Sequence, residues 1–306
     1  MRNCQITLQP PIFDIFAPMQ QAGKKPLRIA ILDLYNGHPN EGMRCIRQIL
    51  EEFSTFRHQP LQVQEYDVRR TTAVPDLSFD IYISSGGPGS PFDGIGEQWE
   101  ANYFQWLENV LQWNNNPANR VKKHVFFICH SFQMACRYFQ IATVCKRKST
   151  AFGIFPVHRV PGSENEPVLQ LLPDPFYAVD SRDYQVVQPD FERMQQLGAQ
   201  ILCIEKYRPH VPLERAIMAI RFNAYMIGTQ FHPEADAIGM SMYLQRADKK
   251  QTIIENHGYE KWKSMIEHLE DPDKILWTYT HILPNFLQHA ANQVLVESKA
   301  LLHHTV

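Results

Sequence analysis

Over the first half of the chain, apolar residues gather in short dense runs separated by amphipathic stretches. Residues 27–34 (LRIAILDL) are almost continuously apolar, as expected of a strand buried on both faces of a parallel sheet. After them Met43, Ile46, Ile49, Leu50 and Phe53 recur at helical spacing, with Asn40 placed to cap the helix. Residues 61–68 (LQVQEYDV) alternate with period two and predict a second strand. Residues 79–84 predict a third, which runs into Gly86-Gly87-Pro88-Gly89. Residues 97–113 place Trp99, Tyr103, Trp106, Leu107 and Val110 on one side of a helix. The wholly apolar strand 125–128 ends at Cys129, and 132–141 predicts the helix that follows. Strands interleaved with helices in this way predict a doubly wound, mostly parallel α/β sheet flanked by helices. Sites in such sheets lie at the carboxyl ends of strands, where both the Gly86–Gly89 turn and Cys129 fall.

From about residue 150 the texture changes to short strands and turns: FGIFPVHRV, FYAVDSRDYQVV, AQILCIEKY, AIMAIRF and AYMIGTQF. Strands in series predict an antiparallel β addition to the parallel core. Beyond Glu234 the pattern is helical, around 236–247, 259–269 and 274–296. His257-Gly258 reads as a helix break, and Trp262, Met265, Ile266 and Leu269 as a packing stripe on the next helix. Residues 1–26 are rich in Pro and Gln and read as an arm. The expected organisation is therefore an arm (1–26), an α/β domain (27–235) and a helical C-terminal extension (236–306).

Composition narrows the class of protein. Of 306 residues, 44% are apolar and 20% charged, which suits a folded core and excludes a disordered chain. The net charge of −2 offers no global attraction to nucleic acid or anionic membranes. The basic cluster Lys146-Arg147-Lys148 reads as a solvated turn. No apolar run reaches the roughly 20 residues of a membrane helix, and the N-terminus does not read as a secretion signal. Six cysteines (Cys4, Cys45, Cys129, Cys136, Cys145, Cys203) at irregular spacing, with no CxxC pair, point to reduced thiols in a cytoplasm. Their default role is that of a small buried apolar residue. Thirteen histidines, paired only at His303-His304, show no zinc spacing, so neither metal nor cofactor is expected.

Three segments carry chemistry. A cysteine between a buried strand and a helix sits on a sharp turn, the thiol analogue of a nucleophile elbow. The helix dipole and free N–H groups there favour the reactive thiolate, and the backbone N–H of His130 is offered to a developing oxyanion. Strand–Cys–helix junctions also hold inert cysteines. Gly228-Thr229-Gln230-Phe231-His232-Pro233-Glu234 supplies a base and a carboxylate to orient it, although a lone His-Pro-Glu is also a common surface turn. Ser85-Gly86-Gly87-Pro88-Gly89-Ser90-Pro91 lets backbone amides approach a ligand closely, or simply makes a tight connection. No Gly-Lys-Ser/Thr follows, so it is not a phosphate loop.

In this order, the three segments resemble the class I (triad) glutamine amidotransferase family. Its patterns are a Gly-Gly-Pro-Gly loop, a Gly-x-Cys-x-Gly-x-Gln elbow and a Gln-Phe-His-Pro-Glu box, the last matched in full by Gln230 to Glu234. Softer matches are Gly153 to Val157 and the Ser181-Arg182-Asp183-Tyr184-Gln185-Val186 segment. The resemblance spans about residues 27 to 234 and implies a flavodoxin-like fold. It further implies that Cys129 attacks the side-chain amide of glutamine, His232 acts as base and Glu234 orients it. Gly87 and His130 amides would hold the oxyanion; Gly86, Gln133, Ser181 and Asp183 would contact substrate. The ammonia would pass to a synthetase or ligase partner, since the helical extension holds no nucleotide loop or ammonia-using module.

The elbow departs from the family pattern. Phe127 and Ser131 stand where glycine is usual, Phe132 and Arg182 where histidine is common. Phe127 is expected to fill space beside the substrate pocket. These changes leave open a γ-glutamyl hydrolase or peptidase, or an acyltransferase, on the same Cys-His-Glu apparatus, and a non-catalytic scaffold of the same fold. Three uses are open to the terminal helices: capping the sheet, forming a homodimer, or docking a partner.

Overall fold

The computed structural model describes residues 25–210 and 213–303; most of the expected arm (1–24), with Cys4, and His304 lie outside them. Nine strands form one sheet in the order β2-β1-β3-β4-β9-β8-β7-β5-β6. The elements follow as β1 (Leu27–Asp33), α1 (Gly42–Arg57), β2 (Leu61–Asp67), α2 (Val68–Thr71), β3 (Ile81–Ser84), α3 (Gln98–Asn115), β4 (His124–Ile128), α4 (His130–Phe139) and β5 (Ala142–Arg159). Then come β6 (Phe176–Pro189), α5 (Phe191–Leu197), β7 (Gln200–Glu205), β8 (Ile217–Asn223), β9 (Met226–Thr229), α6 (Ala237–Gln245), α7 (Ala247–His257), α8 (Tyr259–Glu270) and α9 (Pro272–His303).

Strands β2, β1, β3, β4 and β9 are mutually parallel, and the remaining pairings are antiparallel. The doubly wound core with an antiparallel addition is thus present, with one difference in strand assignment. The run AYMIGTQF belongs to the parallel part, because β9 pairs Val125–Ile128 of β4 residue for residue with Met226–Thr229. That pairing brings the end of β9, and the His-Pro-Glu box beyond it, beside the end of β4.

The apolar residues of β1, β3 and β4 are buried because helices cover both faces. On one face Met43, Ile46, Ile49 and Leu50 of α1 and Ile282, Leu283, Phe286 and Leu287 of α9 pack over Ile29, Ile31, Ile83 and Phe126. On the other, Tyr103, Trp106 and Leu107 of α3 and Phe132 and Ala135 of α4 pack over Ala30, Leu32, Tyr82 and Phe127. Burying one such side chain is worth about 1.5–3 kcal/mol. The α1 helix begins where expected: Asn40 Oδ1 accepts the Met43 amide at 2.9 Å. Helix α4 starts directly after Cys129, two residues earlier than the apolar spacing predicts.

The short α6, α7 and α8 helices share a small core of Leu244, Ile253 and Met265, against which Trp262, Ile266 and Leu269 pack. Gly258, with φ +84°, breaks the chain between α7 and α8 as the sequence predicts. No helix among the described residues is long and apolar enough to cross a membrane.

Candidate functional site

Cys129 stands between β4 and α4 with φ +47° and ψ −94°, a conformation L-residues rarely adopt. The strain persists because both sides are tied down. The Cys129 amide donates to Thr229 O of β9 at 2.8 Å, and its carbonyl accepts the Gln133 amide at 3.0 Å in the first turn of α4. Ser131 locks the turn further: its Oγ accepts from Ile128 N at 2.8 Å and donates to Ser84 O at 2.7 Å. The serine therefore supplies bonds that a glycine could not.

Phe127 points into the core. It is fully buried on the α3/α4 face, edge-on to Phe222 at 5.6 Å, and Phe132 packs against the same ring at 6.1 Å. Gly228 on β9 makes the room, since a Cβ there would stand 2.9 Å from Phe132 and 3.0 Å from Phe127. These departures repack the core beneath the elbow.

Around the sulfur, Gln230 Nε2 donates to Sγ at 3.8 Å, and the Ser181 carbonyl lies 3.8 Å away on β6. Gln133 is buried, its amide shared between Gln230 Oε1 at 3.1 Å and Tyr184 O at 3.3 Å. Ser181 and Asp183 are exposed on β6, where Asp183 accepts from the Thr150 hydroxyl. Gly86 and Gly87 lead out of β3. A Cβ at Gly87 would come 2.5 Å from Leu34 O, and one at Gly86 2.8 Å from His232 Cε1, so both positions require the bare backbone.

Two arginines pin this loop, which sequence patterns did not reveal. Arg69 donates to Pro88 O at 2.7 Å, and Arg137 donates to Pro91 O while pairing with Glu100 at 2.6 Å. Beneath the loop the His130 imidazole is 2% exposed, with burial pushing its pKa down to about 3, so it packs as a neutral ring.

His232 reaches the site because its amide donates to Val179 O at 2.9 Å, which moors the box to β6. Its Nδ1 lies 2.8 Å from Glu234 Oε1, and that carboxylate is 1% exposed. Burial alone would lower the imidazole pKa. The Glu234 carboxylate, by charge and by its hydrogen bond, and the Cys129 sulfur beside it outweigh this and hold it well above the usual histidine value. The structure thus sets His232 and Glu234 in contact beyond the end of β9, the strand that pairs with β4 and accepts the Cys129 amide.

Because the folded value exceeds the unfolded one, the protonated ring stabilises the fold below about pH 6.5. That contribution is lost as pH rises through the folded value. The expected result, read from imidazole resonances, is a His232 that remains protonated past pH 6.5. Glu234→Gln should move its midpoint downward, since burial then faces one less opposing charge. Titration of the wild-type ring near the ordinary value would contradict the contact.

No family model matches the chain, and no curated protein matches it by sequence. Solved structures do match. A glutamine amidotransferase from Thermotoga maritima superposes with a TM-score of 0.60 at 14% identity, covering 87% of this chain and 98% of that one. The chain has the glutamine amidotransferase fold. A second such structure, from Methylobacillus flagellatus, matches with a TM-score of 0.55 at 16% identity over 87% of this chain and 95% of that one. The coverage extends the amidotransferase likeness well beyond the sequence motifs. At these identities it is a likeness of fold, and the chemistry has to be argued from the side chains.

Proposed function

We propose that the chain is a glutaminase-type amidotransferase domain or subunit, acting on glutamine or a closely related γ-glutamyl amide. The single observation that carries this reading is the half-buried imidazole bonded to a buried carboxylate, its pKa raised by that carboxylate and by the strand-tip sulfur. In the proposed reaction the Cys129 thiol gives its proton to His232 as the sulfur attacks the side-chain amide carbon, forming a C–S bond. The tetrahedral oxyanion is held by the amides of Gly87 and His130, and its collapse breaks the C–N bond. His232, oriented through Nδ1 by Glu234, gives the departing nitrogen its proton, and ammonia leaves. Water, deprotonated by the same ring, then attacks the γ-glutamyl thioester, releasing glutamate and restoring the thiol.

Gln133 acts in this scheme through Gln230, which it holds against the sulfur. Gly86, Ser181 and Asp183 border the place where the amino-acid end of the substrate binds. Ammonia passes to a synthetase or ligase partner, and the five described free cysteines suit a cytoplasmic setting. Phe127, Ser131 and Phe132 face the core or brace the turn, so they give no reason to prefer a different acyl donor.

A glutamine-analogue diazo-ketone should add once to the protein, as read by intact mass, and Cys129→Ala should abolish the adduct. An adduct of equal yield on Cys129→Ala would remove Cys129 from its role.

A further inference from the structure

The loop after β1 brings a side chain to the site that no motif singled out. Tyr35 is anchored by its amide to Asp33 Oδ1 at 2.7 Å, and its carbonyl accepts from His38 N at 3.0 Å in a tight turn. Its ring is partly buried against the α1/α9 core. The hydroxyl ends between two glycines. A Cβ at Gly42, in the first turn of α1, would overlap that hydroxyl and stand 3.0 Å from Tyr35 Cζ and 3.2 Å from Glu234 Oε1. A Cβ at Gly86 would stand 3.2 Å from the same hydroxyl, 2.8 Å from His232 Cε1 and 3.5 Å from His232 Nδ1. One phenol therefore borders the acid on one side and the base on the other.

The surroundings are tied together. Arg44 of α1 pairs with Asp236 Oδ1 at 2.8 Å, and the same oxygen accepts the Gly239 amide at 2.6 Å. The first turn of α1 thus grips the segment directly after Glu234. Glu234 Oε2 is buried with no hydrogen-bond partner among the described residues, so the carboxylate depends on its packing for orientation. Burial, with the charges of Glu234 and Cys129, keeps the Tyr35 pKa well above the ordinary phenol value. The hydroxyl therefore stays neutral beside them.

We infer that Tyr35 is a positioning residue: wedged between Gly42 and Gly86, it holds the His232–Glu234 pair in register with the Cys129 sulfur. The inference rests on the proposed Cys129–His232–Glu234 assignment but not on glutamine being the substrate. A misplacement of about 1 Å in such a constellation costs up to roughly 10²-fold in rate.

The test reads the second-order rate of iodoacetamide alkylation at Cys129 by peptide mass spectrometry, beside glutaminase kinetics, on the full chain. Tyr35→Phe keeps the ring and should slow both alkylation and kcat by about tenfold with KM little changed. Its thermal unfolding should match wild type. Gly42→Ala should slow alkylation more, because its methyl meets the hydroxyl. Tyr35→Phe combined with Gly42→Ala should be faster than Gly42→Ala alone, since removing the hydroxyl makes room. Contacting residues show that kind of coupling, whereas independent sites add. Wild-type alkylation and kcat in Tyr35→Phe, or strictly multiplicative effects in the double variant, would overturn the inference. If wild type released no glutamate while Tyr35→Phe still slowed alkylation, the proposed substrate would fall and the positioning role would stand.

Discussion

His232→Ala should lower kcat for glutamine hydrolysis by roughly 10²-fold or more, the usual consequence of losing a general base. Coupled release of glutamate and ammonia is the measurement. The size of the effect follows from how much rests on one ring. The imidazole is hydrogen-bonded to Glu234, and Glu234 and Cys129 hold its pKa well above the usual histidine value despite burial. Alanine removes all of this, while the backbone bond from residue 232 to Val179 O survives, so the fold should persist. Because Cys129 and His232 act as a unit, Cys129→Ala combined with His232→Ala should be no slower than Cys129→Ala alone. Glu234→Gln, which keeps the shape and loses the charge, should fall between wild type and His232→Ala. Unchanged turnover in His232→Ala would remove the ring from the mechanism.

How far this was legible in the sequence depended on whether the information was local. The strand at 125–128 was plain because a strand covered on both faces has to be apolar at every position, and all of β4 is buried. The Cys129 turn and the His-Pro-Glu box were legible as motifs, since each is set by a few consecutive residues. Their meeting was not, because it depends on β9 pairing in parallel with β4 across about a hundred residues. Helix α5 escaped notice because seven residues are too few to establish a period; its signal was the Asp190 side chain capping Arg193 N at 2.9 Å. Tyr35 escaped because its partners lie in α1, in the β3 loop and beyond β9. The face of β4 that Phe127 takes was not legible either, since its position in the motif does not fix it. Alternation along the strand sends Phe126 to the α1/α9 face and Phe127 to the α3/α4 face.

The expected solvated turn at Lys146-Arg147-Lys148 is corrected by the same kind of long-range pairing. Those residues lie within β5, and the Arg147 side chain is only 8% exposed, 3.2 Å from Glu205 Oε1. It belongs to a charge cluster centred on Arg182. That guanidinium, 1% exposed, bonds both oxygens of Asp180 at 2.9 and 2.8 Å and approaches Glu205 to 3.6 Å. Arg208 closes the group at 2.9 Å from Glu205. Burial would raise the Glu205 pKa, yet Arg147, Arg182 and Arg208 together bring it below the ordinary carboxylate value. The cluster ties β5, β6 and β7 together behind Ser181, whose carbonyl faces the sulfur.

Arg182→Met should therefore cost about 3–5 kcal/mol of stability, the usual penalty for stripping one partner from a buried pair and stranding the other charge. The measurement is a fall in urea midpoint at unchanged slope. Asp180 is the charge left uncompensated, its side chain 3% exposed, so Asp180→Asn combined with Arg182→Met should recover a large part of the loss. Arg182→Lys should not substitute well, because a lone ammonium cannot hold Asp180 through one nitrogen and face Glu205 with another. A midpoint for Arg182→Met within error of wild type would mean that the cluster is solvated in practice and contributes little to holding β6 against the elbow. Recovery in the double variant would instead place the cost on the stranded carboxylate rather than on lost packing.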